Sequence, residues 1–212
     1  MSPGRPLVGE PPRPLNPLEE VWPAEVAFYR VHSHRFGPTA FNPGPLPRSR
    51  FAFFGSPPVP VLYAGSTEQA AVAESLLHDL PTAGGRLVPA AYENRVMSAL
   101  TPTRDLRLAQ FHSGGLRRLG ARARNLTDTA AAHYSRTVRW AEAVHNDTDL
   151  DGVVWMSGRW NSSKAVVLFG DRVDPGQLND VGGYARSFLT PEDFEWLAEL
   201  CHRVNVEIIP PW

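Results

Sequence analysis

Short hydrophobic runs, separated by polar, Gly and Pro positions, make up most of the chain from residue 26 onward. Runs rich in β-branched and aromatic residues and bounded by turn residues are typical of strands. The pattern predicts strands over 26–31, 51–54, 59–63, 151–155, 165–169 and 206–209, and further strands within 86–109 around a turn at Thr101-Pro102. We expect the strands at 151–155 and 165–169 to be buried.

Capping residues and helical periodicity predict where the helices begin. Ser66 precedes an alanine-rich stretch, and Gln69 three residues later completes a capping-box pattern, so a helix is predicted over 66–77. Thr190 followed by Pro191 is typical of an N-cap and a first helical position. Because strands and helices do not alternate strictly, we expect an α+β fold. Two further helices are predicted over 116–124 and 134–144.

Proline is concentrated near the start of the chain, where 14 of the 21 prolines fall in the first 60 residues. Residues 1–23 combine Pro and Gly with little apolar periodicity, which indicates an extended arm that either wraps the body or is disordered. The next Pro-rich stretch, 36–60, also carries five phenylalanines and is predicted to be an ordered loop with a short strand. We therefore expect one domain over 24–212.

Composition narrows the class of protein. The chain has 212 residues with a net charge of -1, so bulk positive charge does not hold it to nucleic acid, and no direct nucleic-acid binding is expected. Cys201 is the single cysteine, which excludes an internal disulfide and a Cys-rich zinc site, and no metal is expected. The apolar runs are too short to span a membrane, so a cytoplasmic protein is expected.

Four polar residues occupy positions where a catalytic or binding role is a reasonable interpretation. Arg30 follows Phe28-Tyr29 in a predicted strand, Tyr63 ends another, Glu74 lies beside the apolar stripe of an alanine-rich helix, and Ser157 ends the strand that includes Trp155. An acid in such a helix position costs stability unless it is paired or functional.

Each of these residues also has a structural interpretation. In one structural interpretation, Arg30 and Glu74 form an ion pair that holds the strand against the helix. Considered singly, Tyr63 is interpreted as a core aromatic residue whose hydroxyl reaches water. Glu74 is interpreted in the same way as an exposed helix residue, and Ser157 as a turn residue. The residues by themselves leave these alternatives open.

In this order, the motifs resemble the RES domain family, whose toxins pair with Xre-type antitoxins. The resemblance is strongest over 26–170, and the family is named for an Arg, a Glu and a Ser, which match Arg30, Glu74 and Ser157. The matching stretches are Phe28-Tyr29-Arg30-Val31, Ser49-Arg50-Phe51, Leu62-Tyr63-Ala64-Gly65-Ser66-Thr67, Ala71-Val72-Ala73-Glu74, Trp140-Ala141 through His145, Asp151 through Ser157, and Ala165 through Phe169.

The resemblance implies an ADP-ribosyltransferase-like fold, with mostly antiparallel sheets flanked by helices, and an enzyme that destroys NAD. The family's reaction cleaves the nicotinamide–ribose bond by phosphorolysis or hydrolysis. NAD is then a substrate, with inorganic phosphate as a possible co-substrate. Glu74, Arg30 and Tyr63 are the implied catalytic residues, and Arg30, Arg50, Tyr63 and Ser157 the implied NAD-binding residues. His145, at a helix end, is expected to be structural.

The sequence departs from the family at two places. Trp155 and Met156 stand where a Tyr is common, and a Pro-rich insert leaves open whether Arg48 or Arg50 is the second site arginine. Two other functions therefore stay open: a protein ADP-ribosyltransferase that uses the same site, and a non-catalytic binding module of the same fold. The family also implies an Xre-type antitoxin as partner.

Overall fold

The computed structural model describes residues 8–44, 49–81 and 83–211. Its strands are β1 Glu19–Trp22, β2 Phe28–Ser33, β3 Val61–Gly65, β4 Gly85–Leu87, β5 Arg95–Pro102, β6 Leu106–Gln110, β7 Gly152–Met156, β8 Lys164–Phe169, β9 Leu178–Ser187 and β10 Val206–Ile208. Its helices are α1 Glu68–Ala73, α2 Pro89–Tyr92, α3 Ser113–Arg118, α4 Ala123–Leu126, α5 Tyr134–Asp147 and α6 Pro191–Arg203.

Eight strands form one sheet in the order β1-β6-β7-β8-β3-β2-β5-β9, and β10 pairs with β4 in a small parallel ribbon. In the described residues, every neighbouring pair of the large sheet is antiparallel except β6 with β7. The α+β prediction with a mostly antiparallel sheet flanked by helices is therefore confirmed.

The large sheet curls, and its two faces pack differently. Apolar side chains from all eight strands, among them Phe28, Leu62 and Val154, pack together in one cluster on the inner face. The outer face is covered by four helices: α3 and α5 pack against residues such as Tyr63 and Trp155, and α1 and α6 against residues such as Tyr29 and Met97. Because side chains alternate across a strand, neighbours in sequence along β2 point to opposite faces.

Helix α1 is shorter than predicted, and its N-cap lies one residue later. Thr67 is its N-cap and accepts a hydrogen bond from the Ala70 N–H at 3.1 Å, whereas the Ser66 hydroxyl accepts from the backbone N–H of Lys164 at 2.9 Å. The Ser66 capping-box prediction is therefore wrong, because that hydroxyl bonds to β8. The helix ends at Ala73, with Glu74 as C-cap.

Several other elements match the sequence pattern. Helix α5 covers the predicted stretch, β7 and β8 are deeply buried, and β10 closes the chain. Thr190 caps α6 by accepting from the Asp193 N–H, with Pro191 at the first helical position, as predicted.

Other predictions are wrong in identifiable ways. Residues 51–54 form a turn with a single bridge from Ser49 to Ala52 where a strand was predicted. The predicted helix over 116–124 is divided into α3 and α4 near Gly120, which has a φ of 65°. Strand β9 was not predicted, because its exposed side chains and its Gly182-Gly183 pair lack a strand-like pattern.

Residues 8–22 wrap around the body, one of the two alternatives for the Pro-rich arm. Val8 and Leu15 are buried in the main core, and the Trp140 indole N–H donates to the Gly9 carbonyl at 2.9 Å. Residues 19–22 are β1, which pairs with β6.

No helix within the described ranges is long and apolar enough to cross a membrane.

The wrapped arm makes a testable contribution to stability. Leu15 is 3% exposed, and replacing it with Ala is expected to lower the free energy of unfolding by about 2–5 kcal/mol, because a buried leucine leaves a cavity. Leu18, on the same arm but 38% exposed, is the matched control, and its Ala variant should stay within about 0.5 kcal/mol of wild type. Urea unfolding measures both, and equal effects would contradict the packed arm.

Candidate functional site

Glu74 is a largely buried acid at the C-terminal end of α1. Helix α1 lies close against the sheet because Gly65 has no side chain: a Cβ there would lie 2.6 Å from the Ala71 nitrogen. Residues 70–73 of the helix are buried, and the next residue, Glu74, has a side chain only 11% exposed. The carboxylate is thus removed from bulk solvent and needs partners inside the protein.

Two residues from distant parts of the chain bind the Glu74 carboxylate. The Arg50 guanidinium donates through Nη1 to Oε2 at 3.1 Å, and the Ser157 hydroxyl donates to Oε1 at 2.7 Å. Each carboxylate oxygen therefore has its own donor, which fixes the orientation of the carboxylate.

Ser157 is fully buried where the chain leaves β7. Its backbone N–H donates to the Ser163 carbonyl at 2.9 Å, and its Oγ accepts the Trp160 N–H at 3.0 Å. Because that N–H occupies an acceptor position, the hydroxyl proton is directed toward Glu74.

Arg50 is held from several directions. Its Nη2 lies 3.4 Å from the Thr129 carbonyl, and its guanidinium carbon lies 5.7 Å from the centre of the Tyr134 ring. The Thr137 hydroxyl donates to the Arg50 backbone carbonyl. Arg50 Nε and Thr129 Oγ1 are buried polar atoms with no hydrogen-bond partner among the described residues.

Tyr63 supports the loop that carries Arg50. Its hydroxyl accepts the Phe51 N–H at 3.0 Å and hydrogen-bonds with the Ser49 hydroxyl at 2.9 Å, and its ring packs edge-on against Trp155. Burial raises the pKa of Tyr63 to about 12, so the phenol is neutral at physiological pH. These contacts lie on both sides of Arg50 and fix its backbone.

Arg30 lies on the other face of the sheet. Phe28, two residues earlier in β2, packs in the inner cluster, whereas Tyr29 packs on the outer face with α1, so Arg30 points inward. Strands β2 and β3 are antiparallel and pair only at Tyr29 and Gly65, so Arg30 follows this pair on the Ala64 side, where the two strands are no longer paired.

Arg30 is 8% exposed, and its guanidinium donates to the Pro38 carbonyl at 2.5 Å. Within the described residues no carboxylate lies at ion-pair distance from it, and the alternative of an Arg30–Glu74 pair is not what the structure contains. Burial lowers the pKa of Arg30 to about 10, which still leaves it charged at neutral pH.

Three other sequence predictions have a place in the structure. Trp155, at one of the departures from the family pattern, is a fully buried ring between Phe51 and Tyr63. His145 pairs with Asp171 at 2.7 Å and contacts Phe54 and Phe169, so it belongs to a different part of the core. Arg48, the alternative to Arg50, lies outside the described residues.

Helix α5 and the segment before it contribute residues to the site that no sequence motif marks. Thr129, Tyr134 and Thr137 contact Arg50, and Asp128 lies against Gly158, where an added Cβ would be 2.8 Å from the carboxylate. The signal available was the spacing of Tyr134 and Thr137, which places both on one helix face.

A small cavity of about 120 Å³ lies near the end of α1 and is lined in part by Ala73, Gly158 and Trp160, but neither Glu74 nor Ser157 lines it. Its wall is mostly apolar. Over the described ranges, no group of three or more His, Cys, Asp or Glu side chains is arranged to hold a metal ion.

Comparison with known proteins adds a family and a fold. The sequence model of the family described as "RES domain" matches residues 27–189. The fold is similar to a chain in the crystal structure of the M. tuberculosis MbcT–MbcA toxin–antitoxin complex, with a TM-score of 0.51 and 17% identity over 84% of this chain and 90% of that chain. The search of curated proteins gave no match.

The support of Arg50 by α5 can be tested through stability. Thr137 is fully buried, and Thr137→Val is expected to lower the free energy of unfolding by about 1–3 kcal/mol, because the Arg50 carbonyl loses its donor while the side-chain volume is kept. Thr137→Ser retains the hydroxyl and is the matched control. Urea unfolding of both variants measures the difference, and a Val variant as stable as the Ser variant would refute the role of this hydrogen bond.

Proposed function

The chain belongs to the RES domain family, and from this premise we propose that it is a toxin enzyme that cleaves the nicotinamide–ribose bond of NAD. The observation that carries the proposal is the buried Glu74 carboxylate, with both oxygens fixed by Arg50 and Ser157. Such a carboxylate is a preorganised negative charge in a site of low polarity, which is the feature that stabilises a developing cation.

The proposed reaction needs a fixed negative charge next to the ribose. When the bond between C1′ of the ribose and the nicotinamide nitrogen breaks, both bonding electrons leave with the nicotinamide, whose ring becomes neutral. The ribose then carries positive charge shared between C1′ and its ring oxygen, as in glycoside hydrolysis. An oxygen of phosphate or water attacks C1′, and the products are ADP-ribose 1″-phosphate or ADP-ribose with release of a proton from water.

Glu74 faces the ribose in this proposal, and its carboxylate stabilises the cation and accepts hydrogen bonds from the sugar hydroxyls. Arg50 and Ser157 orient the carboxylate, and Tyr63 acts as a positioning residue through the Arg50 loop.

Arg30 is the proposed ligand of the pyrophosphate. A buried guanidinium without an ion-pair partner among the described residues is costly, and an anionic ligand offsets that cost. Since β2 and β3 pair only at Tyr29 and Gly65, a dinucleotide that reaches both Arg30 and Glu74 would pass where the two strands are no longer paired.

An antitoxin is the proposed protein partner. The chain of similar fold comes from a toxin–antitoxin complex, and an enzyme that consumes NAD would harm its own cell unless it were inhibited. The RES resemblance further implies an antitoxin of the Xre type that covers the cleft.

The reaction is tested by incubating the purified, folded chain with NAD over a series of phosphate concentrations. We expect nicotinamide release, and release that rises with phosphate would assign phosphorolysis, whereas phosphate-independent release would assign hydrolysis. Labelled ADP-ribose found on protein would indicate the transferase alternative. NAD binding without any product, or the absence of binding, would refute the enzyme and favour a binding module.

The role of Glu74 is tested with Glu74→Gln. Loss of the negative charge is expected to lower kcat about 100-fold or more, because an electrostatic contact to the transition state is removed. Glu68 provides the matched control: it is an ion-paired acid on the same helix, bound to Arg186 at 2.9 Å away from the Glu74 carboxylate. Glu68→Gln should keep its activity, and thermal unfolding of both variants checks the fold. Equal activity of Glu74→Gln and wild type would exclude the proposed centre.

A further inference from the structure

The Tyr134 ring packs against Arg50, the ion-pair partner of Glu74, and none of the sequence motifs includes this tyrosine. It is the first residue of α5, is 9% exposed, and places its ring 5.7 Å from the guanidinium carbon of Arg50. Arg50 is in turn bonded to Glu74 at 3.1 Å. The ring therefore supports the cation that orients the carboxylate.

The Tyr134 hydroxyl differs from three of the other four tyrosine hydroxyls of the chain. The hydroxyls of Tyr63, Tyr92 and Tyr184 hydrogen-bond to Phe51 N–H, the Ile209 carbonyl and the Glu68 carboxylate, respectively. That of Tyr134 has no hydrogen-bond partner among the residues the structure describes, and its oxygen is not sealed from solvent. A polar tip on a buried ring normally finds a partner.

The groups around this hydroxyl are those of the proposed reaction centre. Arg50, Glu74, Asp79 and Arg159 all act on it electrostatically, and burial together with the two carboxylates raises the pKa of Tyr134. The phenol therefore stays protonated at neutral pH and is a hydrogen-bond donor. Both Glu74 oxygens already accept a hydrogen bond, one from Arg50 and one from Ser157, so the carboxylate is oriented without Tyr134.

We propose that Tyr134 is a substrate-contacting residue whose hydroxyl donates a hydrogen bond to a hydroxyl oxygen of the ribose that bears the nicotinamide. The inference rests on the proposed NAD cleavage, in which Glu74 faces the same sugar. A donor beside that carboxylate meets an acceptor oxygen of the sugar, and the two residues then hold the ribose on two sides. The ring keeps its second function as support for Arg50.

Tyr134→Phe separates these two functions, because it removes the hydroxyl and retains the ring over Arg50. We expect kcat/KM for NAD to fall about tenfold, the effect of losing one hydrogen bond of about 1.4 kcal/mol, with thermal unfolding unchanged. Tyr92→Phe is the matched control, since it loses a hydroxyl bonded to the Ile209 carbonyl and should keep kcat/KM. A Tyr134→Phe enzyme with wild-type kcat/KM would overturn the proposal.

Deoxy analogues of NAD identify the contact. If Tyr134 bonds to a ribose hydroxyl, the wild type and Tyr134→Phe should have the same kcat/KM for the analogue that lacks that hydroxyl at the 2′ or the 3′ position of the nicotinamide ribose. A merely structural role would leave the tenfold difference in place with both analogues, and that result would also overturn the proposal.

Binding measurements separate the proposal from the proposed reaction. If the wild type releases no nicotinamide, calorimetric titration of the full chain with NAD still tests the contact. Binding weakened about tenfold in Tyr134→Phe would support the contact while the reaction itself fails. Equal dissociation constants, or a wild type that does not bind NAD, would overturn it.

Discussion

The ion pair between Arg50 and Glu74 is the constraint on which the surrounding structure depends. Each charge is largely buried, and neither is stable there without the other and without further hydrogen bonds. Ser157 takes the second oxygen of Glu74, while Thr137 and the Thr129 carbonyl fix Arg50. The loop before β3, the end of α1, the end of β7 and the start of α5 are thereby tied to a single carboxylate.

The curled sheet divides the cationic groups between two environments. On the outer face, Arg50 is neutralised by Glu74 and orients it. On the inner face, Arg30 remains a buried cation whose hydrogen bond goes to the Pro38 carbonyl. In the proposed reaction the two environments would serve two parts of one substrate, since the charge that stabilises a sugar cation must be negative and the charge that binds a pyrophosphate must be positive.

The elements that the sequence predicted well are those whose signals are local. The Thr190-Pro191 start of α6 and the apolar runs of β7 and β8 depend on neighbouring residues and on burial. The failures have tertiary causes. The Ser66 hydroxyl accepts a hydrogen bond from β8, so Thr67 caps α1 instead. Strand β9 forms because it pairs with β5, although its own sequence has only a weak strand pattern.

The sequence by itself determined the fold class, the family resemblance and the residue types of the candidate site: Arg30, Arg50, Tyr63, Glu74 and Ser157. Only the tertiary structure decided which of them meet. The partner of Glu74 is Arg50 and not Arg30, as the structural interpretation of these residues had it, because alternation along β2 turns Arg30 to the inner face. Tyr134 and Thr137 join the site through long-range packing of α5, and no local pattern specifies a contact between segments more than 80 residues apart.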